Sequence, residues 1–230
     1  SSSTDPSLFK NSKNDQTIQS FKGRVIDGPV NGATCFIDIN EDNIQSDNEP
    51  VTITDEFGNY SFDSNNLMQN VTYSFKKVIC LGGFDIDTNQ ALTIPLKVRL
   101  PDMSFPDQTI MITPITTLLS SAKTIEEQDA VLSAIGMDIN QLADSDLIST
   151  DFYELSKLTD DQVNLEFAKK MVRKQNQVIS TIKNIFEGFK KNNQIFHSQF
   201  KHIIIDEMFK LAKKSRITDS GDNLTSNVLI

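Results

Sequence analysis

Near residue 112 the spacing of apolar residues changes, and with it the structure the chain can form. Before that point they fall in short runs: "IQSFKGRVID", "GATCFIDI", "EPVTIT", "NYSFD", "NVTYSFKKVICL", "ALTIPLKVRL" and "QTIMIT". Gly, Asn, Asp and Pro separate these runs. About seven short strands at this spacing predict a β-sandwich. In "GATCFIDI", Ala33, Cys35 and Ile37 share one face, and Thr34, Phe36 and Asp38 the other. Phe36 spoils an otherwise polar face, so something is expected to cover it.

After "ITP" the apolar spacing becomes helical. Pro114 suits a first helical turn with Thr113 as N-cap. "TIEEQDAVLSAIG" reads as a helix with Thr124 as N-cap, Glu127 completing a capping box and Gly136 as its stop. "DINQLADSD" reads as a further helical turn, and "TDFYELSKL" as a helix capped by Thr150 or Asp151. From Thr159 to Asn192 a long helix is expected. Val163, Phe167, Met171, Val178, Ile182, Ile185, Phe186 and Phe189 recur in it every three or four residues. A last helix runs from about Gln194 to Ser215, with Phe196, Phe200, Ile203, Ile204, Met208 and Leu211 as its apolar side. The two long helices are expected to pair antiparallel through a turn near Lys191–Asn193.

The predicted fold class is thus α+β: an N-terminal antiparallel, Ig-like or prealbumin-like β-sandwich, then a C-terminal helical bundle with two long antiparallel helices. The expected boundaries are a flexible segment 1–19, the sandwich 20–112, the helical domain 113–216 and a tail 217–230.

Charge narrows the partners. Residues 1–150 carry a net −12 and residues 151–230 a net +3, together −9. An acidic first part argues against nucleic acid and for cations or solvation. No apolar run approaches the ~20 residues that span a membrane. The opening "SSSTDPSLFKNSKNDQT" looks like the mature start of an exported chain, and an upstream lipid anchor is compatible with it. Cys35 and Cys80 both sit in apolar β-like runs. They read first as two small buried hydrophobes, with a disulfide as the alternative that suits export.

The stretch "DINEDNIQSDNEP", Asp38 to Pro50, holds five carboxylates and three asparagines. With Asp38 as position 1, Asn40 falls at 3, Asp42 at 5, Ile44 at 7, Ser46 at 9 and Glu49 at 12. This is the ligand spacing of a twelve-residue calcium loop: oxygen side chains at 1, 3 and 5, a backbone carbonyl at 7 and glutamate at 12. Asp47 is an alternative donor to Ser46. Position 6, usually glycine, is Asn43, the next best residue for a left-handed backbone. The flanks are strands, so the loop chemistry stands in a β context.

From "GRVIDGPV" through "TDEFGNYSF", the sequence resembles the B-type, prealbumin-like β-sandwich modules of bacterial surface proteins. The serine-aspartate-repeat adhesins and large calcium-dependent adhesins are among them. Asp38, Asn40, Asp42 and Glu49 match that family's calcium donors, and the missing glycine at position 6 is the departure. The resemblance implies a core-facing Tyr60 and Phe62 after a tight turn at Gly58. "GGFDIDTNQALTIPLKVRLP" and "ITPITTLLSS", with the helices that follow, look like a helical module found after such sandwiches in large secreted bacterial proteins. That likeness implies no activity.

Other clusters are weaker. Asp85, Asp87 and Asn89 could hold a second cation, but a polar turn is the reading preferred. His197 and His202 lie five apart on a helix, a poor zinc spacing, and are expected at the surface. There is no Gly-rich phosphate loop, nucleophile elbow or Cys-x-x-Cys. Asp160–Asp161 and Glu126–Glu127 complement helix starts.

The expected function is a non-enzymatic, calcium-stabilised structural or adhesive module, extracellular or on a bacterial cell surface. Its partner would be another protein or a second copy of itself. The alternative is a virion or filament protein whose helices and tail mediate lattice assembly. Carbohydrate recognition is disfavoured, because the chain has no Trp and only three Tyr.

Overall fold

The computed structural model of the chain describes residues 19–137, 147–158, 162–191 and 198–215. Several expectations fall outside these residues: the flexible start, the turn at "DINQLADSD", Asp160–Asp161, the turn near Lys191–Asn193, His197 and the tail 217–230. The side chains of Val163, Phe189, Phe196 and Phe200 also lie outside those described.

The architecture is α+β. Ten strands are described: β1 (Phe21–Arg24), β2 (Val30–Asn31), β3 (Thr34–Asp38), β4 (Val51–Ile53), β5 (Asn59–Phe62), β6 (Lys77–Leu81), β7 (Phe84–Asp85), β8 (Gln90–Ala91), β9 (Leu96–Arg99) and β10 (Gln108–Thr109). Five helices follow: α1 (Pro114–Leu119), α2 (Ile125–Ala134), α3 (Phe152–Leu155), α4 (Gln162–Lys191) and α5 (Ser198–Ser215). None of these helices is long and apolar enough to cross a membrane.

The strands form three sheets, ordered β10-β1-β5, β2-β7-β8 and β4-β3-β6-β9. The four-stranded sheet is antiparallel throughout. The expectation of purely antiparallel pairing fails at one place: β10 runs parallel to β1, with Phe21 opposite Gln108. The chain returns from β9 to lie alongside its own first strand, and a bridge between Val25 and Ile112 continues that pairing. A parallel pair needs a long crossover, and here almost the whole β region supplies it. As expected, Gly58 takes a left-handed φ of 80°, and Tyr60 and Phe62 point inward along β5.

Cys35 and Cys80 are direct partners across β3 and β6, with Cα atoms 4.0 Å apart, and they form a disulfide. This corrects the reading of two separate buried thiols. Strand register sets them face to face at a separation within reach of a disulfide.

Phe36 is covered, as its place on the second face predicted. Register aligns Phe36, Ile79 and Lys97 across β3, β6 and β9, and all three are fully buried. Strand β9 is an edge, whose outward N–H and C=O need partners. The "TPITT" segment provides them. Lys97 N donates to Thr117 Oγ1 at 2.8 Å, and Thr116 Oγ1 donates to Lys97 O at 2.7 Å. Thr113 caps α1 in a capping box with Thr116, and Pro114 opens the first turn.

The change near residue 112 is not a break in packing. One apolar cluster runs from Phe21, Cys35 and Val98 through Ile115 and Leu118 to Val131, Met171, Ile182 and Met208. Among the described residues, the expected direct pairing of the long helices is slight. α4 packs mainly on α3 and α1, α5 mainly on α2 and α1, and the two touch each other only slightly. α1, buried along its whole length, packs against both long helices.

Thr124 caps α2 by accepting from Glu127 N, but no reciprocal bond from the Glu127 side chain is found; that carboxylate faces Lys213 of α5 at 3.8 Å. Gly136, with φ 78°, ends the helix. Asp151 caps α3. Arg24 ties β1 to that helix through Asp151 and Glu154, at 2.9 and 2.8 Å.

Candidate metal centre

The loop that joins β3 to β4 begins at Asp38, the last residue of a buried strand, and returns at Glu49, just before Pro50. Ile37 N donates to Pro50 O at 3.0 Å and closes the base of the loop. Asp38 is 1% exposed and Glu49 5% exposed, whereas Asp42 is exposed. Carboxylate oxygens of all three lie within 4.8 Å of one another. Ligand oxygens about 2.3–2.6 Å from a calcium ion can stand that far apart.

Hydrogen bonds already shape the loop. Asp38 Oδ2 accepts from Asn43 N at 3.0 Å, and Asp42 Oδ1 accepts from Ile44 N at 2.9 Å. Glu49 Oε2 accepts from Ile39 N at 2.6 Å, while its Oε1 accepts from Ser46 N at 2.9 Å and Ser46 Oγ at 2.8 Å. Carboxylate oxygens so engaged retain lone pairs for an ion. Asn43 takes the left-handed conformation foreseen for position 6, with φ 61°. Glu41 shares that φ, which sequence reasoning did not foresee.

One oxygen stands out. Asp38 Oδ1 is buried and has no hydrogen-bond partner among the described residues. A buried unsatisfied carboxylate oxygen is costly unless something positive meets it. Burial pushes the Asp38 carboxyl above the usual carboxylate range, and the charges of Glu49 and Asp42 add to that rise against the opposing backbone amides of Asn43 and Asp42. These are the electrostatics of a site that favours a cation.

The predicted donors do not all stand together. Asp38, Asp42 and Glu49 converge, and Ser46 joins them through Glu49. Asn40 meets the group through its nitrogen: Asn40 Nδ2 donates to Asp42 Oδ2 at 3.1 Å. Asp47 is exposed and lies outside the three-carboxylate group. For Ile44, the observed bond is that of its amide.

At the second acidic cluster, Asp85 accepts from Gly28 N at 3.3 Å and Asp87 N at 2.9 Å, and Asp87 accepts from the Tyr153 hydroxyl at 2.6 Å. These bonds make a polar turn held against α3. Nearby, Asp27 pairs with Lys183 of α4 at 3.2 Å.

Two groups beside the loop were missed. Lys97, 1% exposed, has its ammonium 3.5 Å from Asn43 Oδ1. Burial, reinforced by Lys77, lowers its pKa to about 8, with Asp206 and Asp38 opposing. The overlooked signal was Phe36: Lys97 shares its face, and a covered face buries both. His202 is the second. It was expected at the surface but is 4% exposed, because α5 turns it inward toward the Lys97 face. Burial, then Lys97, lowers its pKa to about 4, with Lys77 and Lys201 adding and Asp206 opposing.

A histidine with a depressed folded pKa binds protons more readily when unfolded, so its contribution is complete above about 6.5 and is lost as pH falls toward 4. Relative to His202→Gln, the wild type should lose about 2 kcal/mol across that window, after discount for solvent screening. Parallel urea titrations of the two proteins from pH 7 to 4 read this directly. Equal slopes would show that His202 does not stay neutral in the fold.

Against known proteins, the chain matches no family model, no curated protein and no solved structure.

Proposed function

We propose that this chain is a calcium-stabilised, non-enzymatic structural or adhesive module of an extracellular or cell-surface bacterial protein. Its strands would form a B-type, prealbumin-like β-sandwich on which the helices pack. The observation that carries this reading is the loop from Asp38 to Glu49. Three carboxylates converge there, and the most buried of them has an oxygen without a hydrogen-bond partner among the described residues. A hard divalent cation with flexible oxygen coordination fits such a donor set better than a softer metal, for which Cys or His ligands would be expected.

Two further observations support the reading. The Cys35–Cys80 disulfide suits an oxidising compartment, where calcium is also abundant. The groups with the largest pKa shifts, Tyr60, Lys97 and His202, are buried in packing between elements. That placement suits a scaffold.

Calorimetric titration with calcium chloride tests the proposal. One ion per chain is expected, with Kd in or below the range of about 10⁻⁴–10⁻³ M found for extracellular modules. Asp38→Asn with Glu49→Gln should abolish the heat. A wild-type protein that shows no calcium heat and no calcium-dependent spectral change would overturn it.

A further inference from the structure

Position 6 of the loop is where this sequence departs from the usual glycine, and the structure gives Asn43 two tasks. Its backbone takes the left-handed turn and donates to Asp38 Oδ2 at 3.0 Å. Glycine would do that at least as well. Its side chain does what glycine cannot: Asn43 Oδ1 accepts from Lys97 Nζ at 3.5 Å. No other acceptor is found for that buried ammonium among the described residues.

Lys97 in turn faces α5. Its backbone is held to α1 by Thr116 and Thr117, which fixes where the side chain begins. Asp206 of α5 is a counter-charge within electrostatic range, and Asp38 of the loop is the other. Asp206 also accepts from Ser121 Oγ at 2.7 Å, just beyond α1. The loop and α5 also border one cavity. A cavity of about 380 Å³ is lined by Asn43, Ile44 and Gln45 on one side and by Gln199, Lys201 and His202 on the other. His202 Nδ1, beside it, is buried without a partner among the described residues.

We propose that Asn43 and Lys97 couple ion occupancy of the loop to the docking of α5; this rests on the calcium reading above. With the loop empty, the Lys97 ammonium is drawn both to the Asp38 carboxylate group and to Asp206. A bound divalent ion cancels most of the negative charge of the three converging carboxylates. Asn43 Oδ1 is what holds the ammonium within reach of that charge. Once the ion is bound, only this neutral oxygen remains on the loop side and Asp206 becomes the main counter-charge, whereas without Asn43 the ammonium leans on Asp206 whether or not the ion is bound. Filling the loop therefore tightens α5 onto the sheet. The coupling is reciprocal, so a docked α5 raises calcium affinity by the same factor.

Hydrogen exchange of the full chain, with calcium and with chelator, tests this. In the wild type, calcium should slow exchange in α5 by a factor on the order of five to ten, the low end of typical couplings. Asn43→Gly keeps the left-handed turn and should bind calcium as tightly or more tightly, yet its α5 should lose most of the added slowing. Lys97→Met, similar in length and without charge, should bind calcium and lose it too. With calcium set at the same multiple of each protein's own Kd, general stabilisation is matched, and the difference isolates the coupling. Calcium heat with an unchanged α5 would overturn the coupling and leave the calcium reading intact. So would a full α5 response in Asn43→Gly. Absence of calcium heat in the wild type would remove both.

Discussion

With calcium at about a hundredfold excess over Kd, the protein is expected to melt about 5–10 °C higher than in chelator. An ion that binds the folded state alone adds about 2.7 kcal/mol at a hundredfold excess over Kd. In a chain of this size each kcal/mol moves the midpoint by about 2–4 °C. Asp38→Asn should remove the shift, because it takes away the charge at the centre of the donor set. The same variant has a second signature. In the absence of the ion the Asp38 carboxyl is buried beside Glu49 and Asp42, and its pKa lies above normal. A carboxyl with a raised folded pKa binds its proton more readily folded than unfolded. Its ionised form therefore costs stability above that pKa, and the cost fades as pH falls through it. In chelator, Asp38→Asn should thus match or exceed the wild type near neutral pH, and the gap should close in acid. In calcium the order reverses. Scanning calorimetry of both proteins in both buffers gives four midpoints. Two wild-type midpoints that coincide would remove the case for a structural ion.

The loop was legible because its information is local. Oxygen donors at alternate positions and a glutamate at the end are spacings within twelve residues, and the backbone between them has few ways to turn. The strands were legible for the same reason: Tyr60 and Phe62 alternate with polar neighbours, and Pro114 after Thr113 announces a helix. What failed depended on distant partners. The disulfide rests on the register of β3 against β6, which places Cys35 opposite Cys80. The pairing of β10 beside β1 rests on a return across most of the β region. Glu127 could have closed its own capping box, but α5 brings Lys213 to it. In α5 the run Ile203–Ile204–Ile205 leaves the helical phase undetermined. The fold buries Ile205 with His202 and Phe209, and leaves Ile203 53% exposed, against expectation. A polar residue in the buried stripe misled the periodicity.

Removal of the disulfide should cost about 4 kcal/mol, more than the loss of the ion. The bridge closes a loop of 45 residues, and the chain-entropy relation assigns a closure of that length about 4 kcal/mol. Both half-cystines are fully buried, so Cys35→Ala with Cys80→Ala adds a cavity cost of its own. The wild type, titrated with denaturant in strong reductant at equilibrium, provides the comparison without that cavity. Both should unfold well below the oxidised protein, by an amount equivalent to about 10 °C in midpoint. A loss under 1 kcal/mol in reductant, or two thiols alkylated in native unreduced protein, would show that the bridge is not formed or not structural. The two cross-links also act on different neighbours of one strand. The disulfide ties β3 to β6, whereas an ion bridging Asp38 and Glu49 ties the end of β3 to the start of β4. Three residues of extended chain separate them, about 10 Å. At that distance their effects should nearly add. The calcium shift in melting should therefore survive reduction almost unchanged. If it collapses with the disulfide, the loop depends on the bridge for its shape, and the ion and the bridge stabilise one structure rather than two.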